Sequence, residues 1–195
     1  MRPSHLQPER MIDPVSTPQD SRKELLRAGL IVLVGTIFIA LSARIQVPMW
    51  PVPMTMQSFA VLLVGMTFGA RLAGITLLTY IAQGALGLPV FATGAGMAYL
   101  MGPTAGYILG FGVAAVVTGY LADRGGATGY LRSFGTALLG GAIIHALGAV
   151  WLAQFIGVES AITLGVMPFV PGDLVKCALV ALVLPSAWKF LRSWR

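Results

Sequence analysis

The stretch LAGITLLTYIAQGALGLPVFATGAGMAYLMGPTAGYILGFGVAAVVTGYLA, residues 72–122, contains no charged side chain. At about 1.5 Å per residue, one helix over all of it would far exceed the about 30 Å of hydrocarbon in a bilayer. The segment GLPVFATGAG in its middle supplies the break, because Gly and Pro at this density interrupt a helix. Two membrane spans therefore share the stretch, one from Leu72 to about Leu86 and one from about Thr104 to Ala122.

Toward the N-terminus, Arg71 separates this region from an apolar run, Met54 to Ala70. The link is so short that the two flanking spans must form an antiparallel helical hairpin. Before them, RIQVPMWPVP carries Pro48, Pro51 and Pro53 and cannot continue a helix, while the uncharged run Ala28 to Ala43 makes a first span. Toward the C-terminus, the polar link DRGGATGYLR precedes a span within Ser133 to Ile156. Gly157 to Pro171 forms the next connection, and a last span follows from about Gly172 to Trp188. The expected fold is an all-α integral membrane protein, a bundle of six transmembrane helices over residues 22–195. Residues 1–21, polar and with Pro3, Pro8, Pro14 and Pro18, read as a disordered cytoplasmic arm without the features of a signal peptide.

Composition agrees: 56% of the residues are hydrophobic and 10% charged, and the mean hydropathy is +0.81, too little polar surface for a water-soluble fold. The formal net charge of +6 does not point to nucleic acid, since the basic residues punctuate the apolar runs instead of interleaving with aromatics. With both termini inside, the cytoplasmic segments hold Arg2, Arg10, Arg22, Lys23, Arg27, Arg71, Arg124, Arg132, Lys189, Arg192 and Arg195. The outer loops hold only Arg44, as the positive-inside rule requires. Cys177 is the single cysteine and His5 and His145 lie far apart, so neither an internal disulfide nor a metal site is expected.

After Glu24 the acids are Asp123, Glu159 and Asp173. Asp173 sits in PGDLVK, three residues before Lys176, so both side chains share one face of the first turn of the last span. Ionisable groups inside a membrane are costly unless paired or facing a cavity, which makes this pair a candidate site near the outer leaflet. A purely structural salt bridge at a helix start is the alternative, although a cation is poorly placed near the positive end of the helix dipole. The glycines at 87, 94, 96, 102 and 106 permit close backbone approach to a ligand or a buried re-entrant loop. GPTAG lacks the GK[ST] ending of a phosphate-binding loop, and no nucleotide site is visible. Gly29, Thr36, Ala40 and Ala43 line one side of the first span, a small-residue face suited to close helix contact within the bundle or with another subunit. His145, mid-span with no acidic or cysteine neighbour at ligand spacing, reads as a packing histidine. No GxSxG or recognisable dyad supports a membrane-embedded enzyme.

Taken together, QVPMWPVPMTMQSFAVLLVG (Gln46 to Gly65), GLPVF (Gly87 to Phe91), GPTAGYILGF (Gly102 to Phe111) and PGDLVK resemble the BioY family of biotin transporters in order and spacing. The resemblance covers about Gly29 to Leu191. It implies the substrate-binding S component of an energy-coupling factor (ECF) transporter, which captures biotin from outside at a bacterial cytoplasmic membrane. ATP hydrolysis would belong to a partner ATPase pair joined through a transmembrane coupling protein, so that the chain itself is no enzyme and needs no cofactor. By that resemblance Asp173 accepts ureido N–H groups and Lys176 meets the carboxylate or stabilises the polar cluster, with Gln83 and Tyr99 as further polar contacts. Thr36, Ala40 and Ala43 resemble the Ala-x-x-x-Ala contact to the coupling protein. Some members of that family place an Arg in the Gly-rich loop, whereas Phe91 to Met101 holds no cation here. Six helices alone would also suit an S component for another small vitamin; the motif set is what selects biotin.

Overall fold

The computed structural model describes residues 21–193. The expected disordered arm therefore lies outside the described residues except for Ser21, which already belongs to a helix. Helix α1 covers Ser21–Ser42. A two-residue hairpin follows, β1 (Gln46–Val47) antiparallel to β2 (Met54–Thr55), with Gln46 opposite Thr55. Helix α2 spans Gln57–Ala85, a short α3 Met97–Leu100, and α4 Ala105–Leu121, which ends in a π turn over Ala122–Gly126. Next come α5 (Tyr130–Ile156), α6 (Val158–Gly165), a 3-10 turn over Met167–Phe169, and α7 (Val170–Ser193).

Among the described residues, five helical stretches are long and apolar enough to cross a membrane: Arg22–Ser42, Gln57–Ala85, Ala105–Gly126, Tyr130–Ile156 and Val158–Ser186. The second is not one straight rod. Gly69 interrupts α2 with φ 75° and ψ 169°, a conformation open essentially only to glycine. The chain doubles back there, since Gln57 Nε2 donates to Tyr80 Oη at 2.6 Å, whereas a continuous helix would hold these residues about 34 Å apart. The antiparallel hairpin expected around Arg71 thus turns two residues earlier, where a glycine permits the reversal. The connection Gly157 to Pro171, expected to be a plain link, contains α6. Pro171 falls in the first turn of α7, where its missing N–H costs little.

The helices pack in the order α1 on α2, α2 on α4, α4 on α5 and α5 on α7. Close approach of α4 to α5 depends on glycine: a Cβ at Gly106 would lie 2.7 Å from the Leu147 carbonyl oxygen. Where the helices meet, Val61, Leu77, Ile108, Ala114, Ile144 and Leu152 form the main core. A second cluster joins Leu62 and Met66 to Cys177, Val180 and Leu184 of α7. On the outer face of α1, Leu26, Leu30, Leu33, Ile37 and Leu41 are exposed along one stripe, an apolar surface that lipid satisfies and water does not.

On that helix the small-residue face is turned toward its own bundle, one of the two uses its pattern allows. Thr36 and Ala43 are 1% and 0% exposed and Ala40 is half-buried. A Cβ at neighbouring Gly35 would overlap Thr76 and Phe68 of α2. The small side chains let α1 approach α2 within this chain.

Candidate binding site

One end of the bundle holds a partly open cavity lined by apolar, aromatic and a few polar side chains. The connection between the two strands supplies Val52 and Pro53, and β2 supplies Thr55; the start of α2 supplies Gln57 and Ser58; α4 contributes Tyr107 and Phe111. His145 enters from α5, and Asp173 and Lys176 from α7.

The loop after α2 closes one side. Tyr80 Oη, having accepted from Gln57, donates to the Val90 carbonyl at 2.9 Å and fixes the loop to both arms of α2. Phe91, next in sequence, is buried edge-on against Tyr80 and stacks on Tyr99 with 5.1 Å between ring centroids. Phe91 seats where Gly84 has no side chain, since a Cβ there would come within 2.0 Å of the ring. The Gly-rich segment is thus a packed wall that brings Phe91, Ala92 and Tyr99 to the cavity lining. At its rim the Arg44 guanidinium donates to the Pro89 carbonyl.

The polar groups converge on Asp173. Lys176 Nζ donates to Asp173 Oδ1 at 2.9 Å and to Ser58 Oγ at 3.0 Å, and Ser58 Oγ donates to Oδ1 at 3.4 Å. The other carboxylate oxygen, Oδ2, meets His145 Nε2. The side chains of Asp173 and Lys176 are 14% and 8% exposed. Holding both charges here is costly unless they pair and their remaining hydrogen-bonding capacity is used, which Ser58 and His145 provide. An apolar lining with a few convergent polar groups suits a small, mostly apolar ligand that carries N–H donors and a charged end.

Of the residues singled out in the sequence, Asp173, Lys176 and Tyr99 all line this cavity. Gln83 does not. Its Nε2 lies 3.5 Å from Thr36 Oγ1, tying α2 to α1 away from the cavity lining. Ser58 was not singled out in the sequence, and His145 was read as a packing histidine without its tie to Asp173, because they lie 115 and 28 positions from Asp173 and no local spacing relates them. The one available signal for His145 was that an ionisable group in mid-span is a candidate in its own right. Among the described residues, no group of three or more His, Cys, Asp or Glu is placed to hold a metal ion.

Fold and cavity together define a multi-pass membrane protein with a buried polar site at one end of a helical bundle. Residues 15–193 match the BioY family, and the chain belongs to it. It is 40% identical to the probable biotin transporter BioY of Pyrococcus horikoshii over 81% of this chain and 95% of that protein. It is 39% identical to the biotin transporter BioY of Thermotoga maritima over 83% of this chain and 93% of that protein. A solved structure, the S-component for biotin from an ECF-type ABC transporter, has the same fold. It superposes with a TM-score of 0.77 at 22% identity over 87% of this chain and 94% of that one.

Proposed function

We propose that the protein is a biotin uptake subunit, the S component of an ECF transporter, and that it binds biotin in the cavity around Asp173. The observation that carries this reading is the convergence of Asp173, Lys176, Ser58 and His145 on one cavity in a BioY-family chain. Biotin's bicyclic ring and aliphatic tail match the apolar lining, its ureido N–H groups match a carboxylate acceptor, and its own carboxylate matches a cation. Tyr99, stacked on Phe91, offers an aromatic face and a hydroxyl to the same space.

The topology that serves this function has six crossings. Breaking α2 at Gly69 turns the five long stretches into six segments, and an even number puts both termini on one side. The basic residues place that side in the cytoplasm. The cavity, at the end opposite the Gly69 turn, then opens to the outside of the cell membrane, where biotin arrives. Among the described residues no phosphate-binding loop occurs. The energy for release inward comes from an ATPase pair and a coupling protein, partners of the kind that an ECF-type transporter supplies.

Calorimetric titration of the purified protein with biotin, thiamine and riboflavin tests the reading. Biotin alone should bind, and Asp173→Asn should weaken it at least about tenfold, the scale of a lost charge-assisted hydrogen bond. Unchanged affinity in that variant would remove Asp173 from the site, and tight binding of thiamine or riboflavin would overturn the substrate.

A further inference from the structure

The proposed site contains a histidine that neither the PGDLVK motif nor the cavity's overall chemistry explains. His145 approaches from α5, wedged between two aromatic rings: Tyr107 of α4, edge-on at 6.0 Å, and Phe169, at 5.5 Å. This wedge fixes the plane of the imidazole and aims Nε2 at Asp173 Oδ2. A carboxylate offers only lone pairs, so the hydrogen in that contact belongs to the imidazole and the Nε2–H form is the one that fits. The second nitrogen, Nδ1, is buried and has no hydrogen-bond partner among the described residues. A proton there would be a buried N–H without an acceptor, which favours leaving Nδ1 bare.

Each oxygen of an ionised carboxylate accepts about two hydrogen bonds. At Asp173, Lys176 and Ser58 fill Oδ1, and His145 takes one of the two directions at Oδ2. A single acceptor direction is left, and its orientation depends on how firmly Oδ2 is held. We infer that His145 is a positioning residue of the ligand site: its Nε2–H tautomer locks the Asp173 carboxylate so that the remaining Oδ2 lone pair faces a ligand N–H donor. The inference rests on the proposed function, since it assigns how Asp173 is presented to a ureido-type ligand. It predicts that His145 acts through Asp173 by donating one hydrogen, its ring serving only to aim that donor.

The test uses the full-length protein in nanodiscs, titrated with biotin by calorimetry. His145→Leu removes the donor and should weaken binding roughly ten- to hundredfold, while His145→Gln, whose amide N–H reaches about as far as Nε2, should restore affinity to within about threefold of the original. Equal impairment of both variants would mean that ring volume matters and the donor does not, and wild-type affinity in both would remove His145 from the site; either outcome overturns the inference. Asp173→Asn, run beside them, separates the two levels. If it binds normally the site assignment itself has failed, and if it loses biotin while His145→Leu does not, only the positioning role has failed. Should His145→Leu not fold, ¹⁵N spectra of histidine-labelled His5→Gln protein decide. A protonated Nε2 and a bare Nδ1, with signals that move in Asp173→Asn, support the inference, and the opposite tautomer or no response to Asp173→Asn overturns it.

Discussion

Gln57 and Tyr80 stand 23 positions apart in the chain and share a 2.6 Å hydrogen bond. The bond exists because Gly69 reverses α2 between them, and the same Tyr80 hydroxyl donates to the Val90 carbonyl. A turn at one end of the bundle therefore sets the position of the loop that walls the cavity at the other. Gly69 is not among the residues that line the cavity, yet the loop that walls the cavity depends on it.

Gly69→Ala accordingly destabilises the whole bundle. The new side chain would have to adopt φ 75° and ψ 169°, at a cost of about 1–3 kcal/mol for a non-glycine residue. It would also push against Asp123, whose carboxylate lies 2.6 Å from the added Cβ position and accepts a 3.4 Å hydrogen bond from the Ala70 amide. Thermal unfolding in detergent should show a lower Tm than wild type. The same substitution at Gly29, where nothing lies within 4 Å of the added carbon, should leave Tm unchanged or raised.

The Asp173–Lys176 pair allows stability to be separated from binding. Lys176→Met leaves Asp173 buried without its cation, and breaking a buried pair from one side costs about 3–5 kcal/mol. Removing both charges with Asp173→Asn and Lys176→Met relieves that penalty, since a buried pair contributes little net stability against neutral residues of similar size. Tm should fall in Lys176→Met and recover in the double variant, while biotin affinity stays low in both. Recovery of affinity together with Tm would assign the pair a structural role only.

Much of this fold was legible because the bilayer imposes it: uncharged runs, basic punctuation and Pro-rich breaks sufficed for the spans around Ala28 to Ala43, Thr104 to Ala122 and Ser133 to Ile156. The hairpin was legible too, but its turn was assigned to the charged Arg71, when backbone freedom at Gly69 decides where a chain reverses. Asp173 and Lys176 were visible because they lie three apart on one helix. Ser58 and His145 were not, since their proximity to Asp173 comes from packing of α2, α5 and α7, which no local spacing encodes. Thr36 illustrates the converse: a small-residue face predicts close contact without revealing with which helix, and here that helix is α2.

The contrast between Tyr99 and Gln83 tests the placement of the cavity. Tyr99 stacks on Phe91, and its hydroxyl lies 3.2 Å from Thr93 Oγ1. Tyr99→Ala removes an aromatic contact worth about 0.5–1.5 kcal/mol beyond the area it buries, so biotin affinity should fall several-fold or more. Gln83 reaches Thr36 and does not line the cavity. Gln83→Ala should keep biotin affinity within about twofold while lowering Tm slightly, the scale of one weak hydrogen bond. Titration of the two variants side by side checks the assignment, and a loss of affinity confined to Gln83→Ala would move the site toward α1.

Packing behind the cavity should matter as much as the groups in it. Tyr107 lines the site, donates to the Gly165 carbonyl at 2.7 Å, and packs its ring against Gly148 of α5. A Cβ at Gly148 would fall 2.4 Å from the Tyr107 ring. In Gly148→Ala the ring must shift toward the cavity or α4 and α5 must separate, an overpacking cost of about 1–3 kcal/mol. A shifted ring would displace the aromatic surface against which His145 rests, so biotin affinity should fall along with Tm although Gly148 itself is outside the cavity lining. Adding Tyr107→Val, which vacates the overlapped space, should return part of the lost Tm relative to Gly148→Ala alone, because the clash and its relief involve the same two residues. Strictly additive losses in the double variant would show that Gly148 and Tyr107 do not share this contact.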